Sequence, residues 1–318
     1  MPPAGKQHSP LIVLIGQTAV GKTALALELA QVFNGEIVSA DSRLVYRGMD
    51  IGVAKPTPAE QALVRHHLLD LGPPDDTVSL ARFQHLAYAS INDILARGRL
   101  PLLVGGTGQY VTAVIDGWGI PEVPPNPALR RELEAFAAEH SPDALHTRLL
   151  QHDPAAAAAI HPNNVRRVVR ALEVFIESGT PISELQRQTP PPYHVLQIGL
   201  ARTRDDLYAR IDARLACMME GGLLAEVRGL LAAGYSRHLP AMSGLGYRQL
   251  VAHLAGECTL DEALAAIRSE TRDFARRQDT WFRKYNQAAH WFEMPETAIQ
   301  SIMTWVRDWL EGSDATTA

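Results

Sequence analysis

The chain has 318 residues, 46% hydrophobic and 20% charged, which is enough apolar material for a large α/β core with a smaller attached domain and excludes a disordered protein. A net charge of -5 argues against wholesale coating of nucleic acid but allows a local basic patch. No apolar run reaches the roughly 18 to 20 residues that span a bilayer, and residues 1–10 lack the regions of a signal peptide, so a cytoplasmic protein without a membrane partner is expected.

Residues 11–15 form a short apolar run ending at Gly16, and over 22–33 the side chains Leu25, Leu29 and Phe33 recur every four positions; this predicts strand, loop, helix. The loop reads Gly16, Gln17, Thr18, Ala19, Val20, Gly21, Lys22, Thr23, the G-x-x-x-x-G-K-[ST] pattern that cradles phosphates. Its glycines let the backbone curl with successive N–H groups inward, the helix start adds partial positive charge, and Lys22 adds a full one. The Thr23 hydroxyl is the usual magnesium ligand of such loops, so Mg2+ is the expected cofactor.

A second strand is predicted over 36–40, running into Asp41 and Ser42, and helical spacing over 80–97 stops at Gly98. A third strand, over 101–104, runs into Gly105, Gly106, Thr107 and Gly108. Strands alternating with amphipathic helices give the fold class: α/β, a P-loop NTPase-like parallel sheet covered by helices, with ligands beyond the carboxyl ends of the strands. His66, His67 and Asp70 have a metal-like look, but adjacent histidines rarely ligate together, and structural or substrate-lining roles are expected.

Proline clusters at 121–127 and 190–192 bracket a stretch with helical signals alone, notably 164–178, where Val165, Val168, Val169, Leu172, Phe175 and Ile176 form one stripe before Gly179. Residues 119–192 are therefore expected to be a helical insertion domain, and 1–118 with 193–318 the P-loop core domain. Residues 195–200 read as a strand returning to the sheet, 205–233 and 260–285 as long helices, and 312–318 as a frayed tail. Cys217 and Cys258, the only cysteines, lack Cys-x-x-Cys spacing and are expected to be small buried residues. No sustained exposed apolar stripe stands out, and a monomer is expected.

The loop fixes only that phosphates bind. The third strand ends in glycines rather than in the acidic residue an ATPase needs for magnesium, and no Asn-Lys-x-Asp base-reading motif exists, so hydrolysis and GTP switching lose weight. A kinase acting on a nucleoside or metabolite, a nucleotide-gated RNA-binding module and a transferase remain open on these residues.

From residue 11 to about 283 the chain resembles the tRNA dimethylallyltransferase family, bacterial-type tRNA isopentenyltransferases. The resemblance is carried by the phosphate loop and by ordered blocks: Asp41-Ser-Arg-Leu-Val-Tyr46, Gly48-Met-Asp-Ile-Gly52, Ala54-Lys-Pro56, Gly105-Gly-Thr-Gly-Gln-Tyr110, His161-Pro-Asn163, Arg210-Ile-Asp-Ala-Arg214, Gly244-Leu-Gly-Tyr-Arg248 and Arg276-Arg-Gln-Asp-Thr-Trp-Phe-Arg283. It implies transfer of a dimethylallyl group from dimethylallyl diphosphate to N6 of the adenosine directly 3′ of the anticodon, position 37, in tRNAs reading codons that begin with U.

It also implies the site. Gly16 to Thr23 and Arg214 would hold the diphosphate, Thr23 and Arg214 would assist its departure, and Asp41, placed where the second strand meets the loop, would act as base. Against the tRNA anticodon loop the resemblance sets Asp41, Ser42, Arg43, Leu44 and Thr107, then Ser243, Gly244, Leu245, Gly246, Tyr247 and Arg248. Arg130, Arg166, Arg167, Val168, Val169 and Arg170 of the insertion, with Arg277 and Gln278, complete the expected tRNA contacts. Phe274, Trp281, Phe282 and Tyr285 interleave with basic residues at helical spacing and are expected mainly to pack in the core. Leu44 and Gln109 depart from the family's usual Gln and Leu, and are expected to adjust how the target base is read.

Overall fold

Five consecutive apolar residues, 11–15, with no exposed surface make β1 (Ser9–Gly16) a strand covered on both faces, as a central parallel strand must be. In the computed structural model, which describes residues 9–294 and 298–315, it lies within a six-stranded sheet. The other strands are β2 (Gly35–Ser39), β3 (His66–His67), β4 (Leu100–Gly105), β5 (Tyr193–Ala201) and β6 (His290–Glu293), in the order β3-β2-β4-β1-β5-β6. Every pairing is parallel, with Ile12 opposite Leu102 on one side and Leu196 on the other.

Alternation along β1 divides the core. Leu11, Val13 and Ile15 pack with Phe83 and Ile91 of helix Leu80–Ala96, Val111 of Gly108–Ile115, and Ile267 and Phe282 of Leu260–Tyr285. Ile12 and Leu14 pack on the opposite face with Leu25 and Leu29 of helix Lys22–Val32, Leu207 and Ile211 of Arg204–Glu220, and Ile302 and Val306 of Ala298–Ala315. Each such buried Leu or Ile side chain stabilises the fold by about 1.5–3 kcal/mol. Because all strands run the same way, the segments after β1, β2, β4 and β5 emerge on one edge of the sheet.

The chain divides into two compact units, one built from the residues up to Ile115 and from Pro192 onward, the other from Asp116–Pro191. The second unit is helical, with Leu133, Leu145, Leu149, Val168 and Leu172 in its core. Its three longest helices start on side-chain caps: Asn126 before Pro127–His140, Ser141 before Pro142–His152 and Asn164 before Val165–Ser178.

Several expectations need correction. The stretch 205–233 is two helices, Arg204–Glu220 and Leu223–Ala232, because the Gly221-Gly222 pair breaks it, Gly222 adopting φ 97, a left-handed conformation that disfavours side chains. Helix Ala298–Ala315 continues through the first part of the expected tail, and residues 316–318 lie outside the described residues. Neither cysteine is buried: Cys217 is exposed and Cys258 half-buried. His66 and His67 form the edge strand β3, where His67 Nε2 lies 2.7 Å from buried Glu36, while Asp70 pairs with Lys55. Among the described residues no group of three His, Cys, Asp or Glu side chains could hold a metal, and no helix is long and apolar enough to cross a membrane.

Candidate active site

The phosphate loop joins the end of β1 to helix Lys22–Val32. Gly21 caps that helix at φ 114 without a side-chain hydrogen bond, so no side chain competes for the N–H groups of its first turn. Lys22 Nζ donates to Gly16 O at 2.9 Å and Gln17 O at 2.7 Å, which holds the ammonium over the loop. Burial pushes the Lys22 pKa down to about 7, the Asp41 carboxylate pulls it up, and the Arg214 guanidinium presses it down again. The three groups therefore sense one another's charge.

The loop is held from outside by residues far away in sequence. Thr18 N donates to Gln278 Oε1 at 2.8 Å, and Gln278 Nε2 donates to Gly106 O at 2.8 Å, so one buried amide ties the phosphate loop to the loop after β4. Arg210 Nε donates to Ala19 O and Arg202 Nε to Val20 O, both at 2.8 Å. Sequence reasoning misses Gln278 and Arg202 in this role. Arg202 follows the end of β5, on the same sheet edge as Asp41, and that position is the signal that could have found it. Gln278, an expected tRNA contact, also bonds the phosphate loop through its amide.

Asp41 follows β2, and its Oδ1 accepts from Arg43 N at 2.9 Å, closing a turn that fixes the carboxylate. Ser42 N donates to Thr107 Oγ1 at 3.0 Å, locking the segments after β2 and β4 together. Two cavities meet here. One, of about 1040 Å3, is lined by Gly21, Lys22, Thr23, Lys55 and Arg210. The other, of about 530 Å3, is lined by Arg43, Thr107, Tyr247, Phe274, Arg277 and Trp281. Thr18, Asp41, Gly106 and Arg214 belong to both walls. Helical spacing puts Arg214 one turn beyond Arg210, on the same face. Burial lowers its pKa, the Asp41 carboxylate raises it, and Arg210 lowers it again.

The second cavity is shaped by the segment 243–248. Arg43 reaches across to it, donating to Pro240 O, Ala241 O and Ser243 Oγ. The Arg248 guanidinium is paired with Glu270, and Tyr247 is buried, donating its hydroxyl to Glu226 Oε1 at 2.6 Å. Glu226, which sequence reasoning missed, also accepts from the backbone N–H groups of Asp50, Ile51 and Gly52. One carboxylate thus links Asp50 and Ile51 of the larger cavity to Gly52 and Tyr247 of the smaller. Leu44 lines the larger, loop-side cavity, whereas Gln109 lines the smaller one.

In the insertion unit the expected RNA contacts separate by environment. Arg166 and Arg167 are exposed, but Val168 and Val169 lie in the helical core, so their side chains cannot present themselves to RNA. Arg130 and Arg170 both direct their guanidinium groups to Glu173, which has no exposed surface: Arg130 Nε and NH2 bond it at 2.8 Å and Arg170 NH1 at 2.6 Å, with Asn126 N at 2.7 Å. Burial pushes the Glu173 carboxyl up, but those hydrogen bonds override it and hold the pKa near about 2. A folded pKa below the ordinary 4.5 means the stabilisation is complete above that value and is lost as pH falls toward about 2. Glu173→Ala leaves two arginines facing an empty acceptor position and is expected to cost about 3–5 kcal/mol of stability at pH 7. Urea titration checks this; an unfolding midpoint unchanged from the parent would show the cluster to be incidental.

Thr23, exposed at the first helix, and Asp41 both line the larger cavity, and their hydroxyl and carboxylate could hold magnesium. These are hard oxygen ligands that suit Mg2+, with phosphate oxygens and water needed to complete an octahedron.

A parallel sheet with a phosphate loop after β1, and an anion cleft opening onto a second chamber at a carboxylate, defines a P-loop α/β protein with room for two ligands at one point. Residues 44–285 match the family model described as IPP transferase. The tRNA dimethylallyltransferase of Roseiflexus sp. is 55% identical over 305 residues, 95% of this chain and 99% of that protein. The crystal structure of the full-length tRNA isopentenylpyrophosphate transferase from Bacillus halodurans superposes with a TM-score of 0.73 at 41% identity, covering 97% of this chain and 99% of that one. A eukaryotic dimethylallyltransferase acting on tRNA gives a TM-score of 0.82 at 25% identity, covering 96% and 80%. The chain belongs to the IPP transferase family.

Proposed function

We propose that the protein transfers the dimethylallyl group of dimethylallyl diphosphate to N6 of adenosine 37, directly 3′ of the anticodon, in tRNAs reading codons that begin with U, and releases diphosphate. The observation that carries this reading is the pair Asp41 and Arg214 on the wall common to both cavities, one cavity furnished for an anion and the other large enough for an extruded base. In the reaction the C1–O bond of the allylic diphosphate breaks, its electron pair leaving with the diphosphate oxygen, while the N6 lone pair forms the new bond to C1. The proton released from N6 passes to the Asp41 carboxylate. Lys22, Arg214 and the loop amides stabilise charge on the departing diphosphate, a preorganised arrangement of the oxyanion-hole type. Magnesium held by Thr23 would neutralise part of that charge.

Extruding a loop base costs a few kcal/mol, least in single-stranded RNA, and phosphate contacts recover it. Exposed Arg166, Arg167 and Arg277 and the segment 243–248 are the groups we assign to the anticodon loop. The large apolar side chains exposed among the described residues, Val32, Leu63, Leu150, Ile176 and Tyr285, come from five different helices, and we infer action as a monomer.

The test is to incubate the protein with magnesium and unmodified tRNA, adding dimethylallyl diphosphate in one tube and ATP in another, and to weigh the digested nucleosides. An isopentenyl mass on adenosine in the first tube alone is expected. ATP consumption without that mass would identify a kinase, and tRNA binding without either would leave an RNA-binding module.

A further inference from the structure

Helix Leu260–Tyr285 ends on an aromatic pair that the diphosphate chemistry does not use. The rings of Trp281 and Tyr285 lie with centroids 4.4 Å apart, one helical turn from each other. Trp281 lines the smaller cavity, where its indole N–H lies 3.5 Å from the Thr112 hydroxyl. Tyr285 stands outside with 43% of its surface exposed, whereas Phe282 beside it is wholly buried and Phe274 lines the cavity. The interleaved aromatics expected in the core thus divide, one inside, two on the cavity wall and one in solvent. A groove of about 460 Å3 containing Arg277, Trp281, Lys284 and Tyr285 continues outward from the cavity, with Arg277 and Trp281 on both walls.

We propose that this tilted Trp281–Tyr285 pair, its ring planes 37° apart, is with Arg277 and Lys284 the seat of the unpaired nucleobase adjoining the target base in RNA; the proposal rests on the function assigned above. Pulling one base from a loop removes a stacking partner from its neighbour, and an exposed ring at the mouth of the receiving cavity replaces it. The charge around the rings fits an anionic backbone. Among the described residues neither Arg277 nor Lys284 forms an ion pair, although Arg276 is paired with Asp273 and Arg283 with Asp279. Lys284 Nζ sits 4.9 Å from the Tyr285 ring centroid, over a face that a base would take. On arrival of the base the flexible lysine stem lets the ammonium move to the adjoining phosphate.

The experiment measures binding of a stem–loop RNA carrying the target adenosine to the full chain and its Tyr285→Ala and Tyr285→Phe variants, using the intact RNA and RNAs made abasic at each nucleotide flanking the target. Base–aromatic stacking predicts roughly a 5- to 150-fold loss for Tyr285→Ala, little loss for Tyr285→Phe, and unchanged capture of dimethylallyl diphosphate. One abasic position is expected to weaken the parent by a similar factor and Tyr285→Ala hardly at all. Intact RNA bound equally by parent and Tyr285→Ala, or equal further loss in both proteins at every abasic position, overturns the proposal. Should Tyr285→Ala fail to fold, the parent alone decides, because no sensitivity to either flanking base is also contradictory. A parent that binds RNA in this pattern but adds no dimethylallyl group refutes the transferase reading and not the platform.

Discussion

Asp41→Asn is expected to lower kcat by about 10²- to 10⁴-fold, the range for loss of a general base, while tRNA and dimethylallyl diphosphate still bind. The exocyclic amine of adenine is a poor nucleophile, and its proton must leave as the bond to carbon forms. Asp41 is the carboxylate on the wall common to the two cavities, and the Arg43 N–H holds its Oδ1 in place. An amide of the same shape keeps that hydrogen bond and cannot take a proton at neutral pH. Single-turnover mixing with both ligands prebound isolates the chemical step; near-parental rates in a folded Asp41→Asn protein would remove the carboxylate from its assigned role.

Lys22→Met is expected to lower transfer by roughly 10²- to 10³-fold, the cost of losing one preorganised donor to a developing anion. The parent should also show a pH signature. In the ligand-free protein burial holds Lys22 near pKa 7, so above that pH the amine is mostly neutral. A bound diphosphate raises the value, and capture between about pH 7 and the new pKa therefore takes up a proton, with affinity falling by up to about tenfold per pH unit as pH rises. Calorimetry at pH 8 in buffers of different ionisation enthalpy reads this uptake directly, and Lys22→Met abolishes it. Unfolding does not mimic the effect. A lysine whose folded pKa lies below the ordinary 10.5 costs stability below about pH 7, and that cost fades as pH climbs toward the unfolded value.

Much of this site was legible because its chemistry is local in sequence. The run 11–15, the loop from Gly16 to Thr23 and the exit of β2 into Asp41 all fall between residues 11 and 41, and a parallel sheet carries the ends of its strands to one edge. What could not be read comes from distance. Gln278 meets Thr18 across 260 positions, and Glu226 meets Asp50 across 176, pairings that no periodicity encodes. The helix from Val165 to Ser178 shows a different limit. Its apolar stripe and its arginines are both plain in the sequence, yet Glu173 on that helix is what draws Arg130 and Arg170 into structural pairs. Val168 and Val169 belong to the stripe, and burial decides their role.

In this mechanism the amine and the allylic diphosphate meet at Asp41. A crystal structure with an anticodon stem–loop and an unreactive thiolo analogue of dimethylallyl diphosphate tests it most directly. The diphosphate is expected on Lys22 and Thr23, and adenosine N6 within about 3.2 Å of the Asp41 carboxylate. An adenine nucleotide seated on the loop with its terminal phosphate aimed at a second ligand, or the carboxylate turned from the amine, would contradict it.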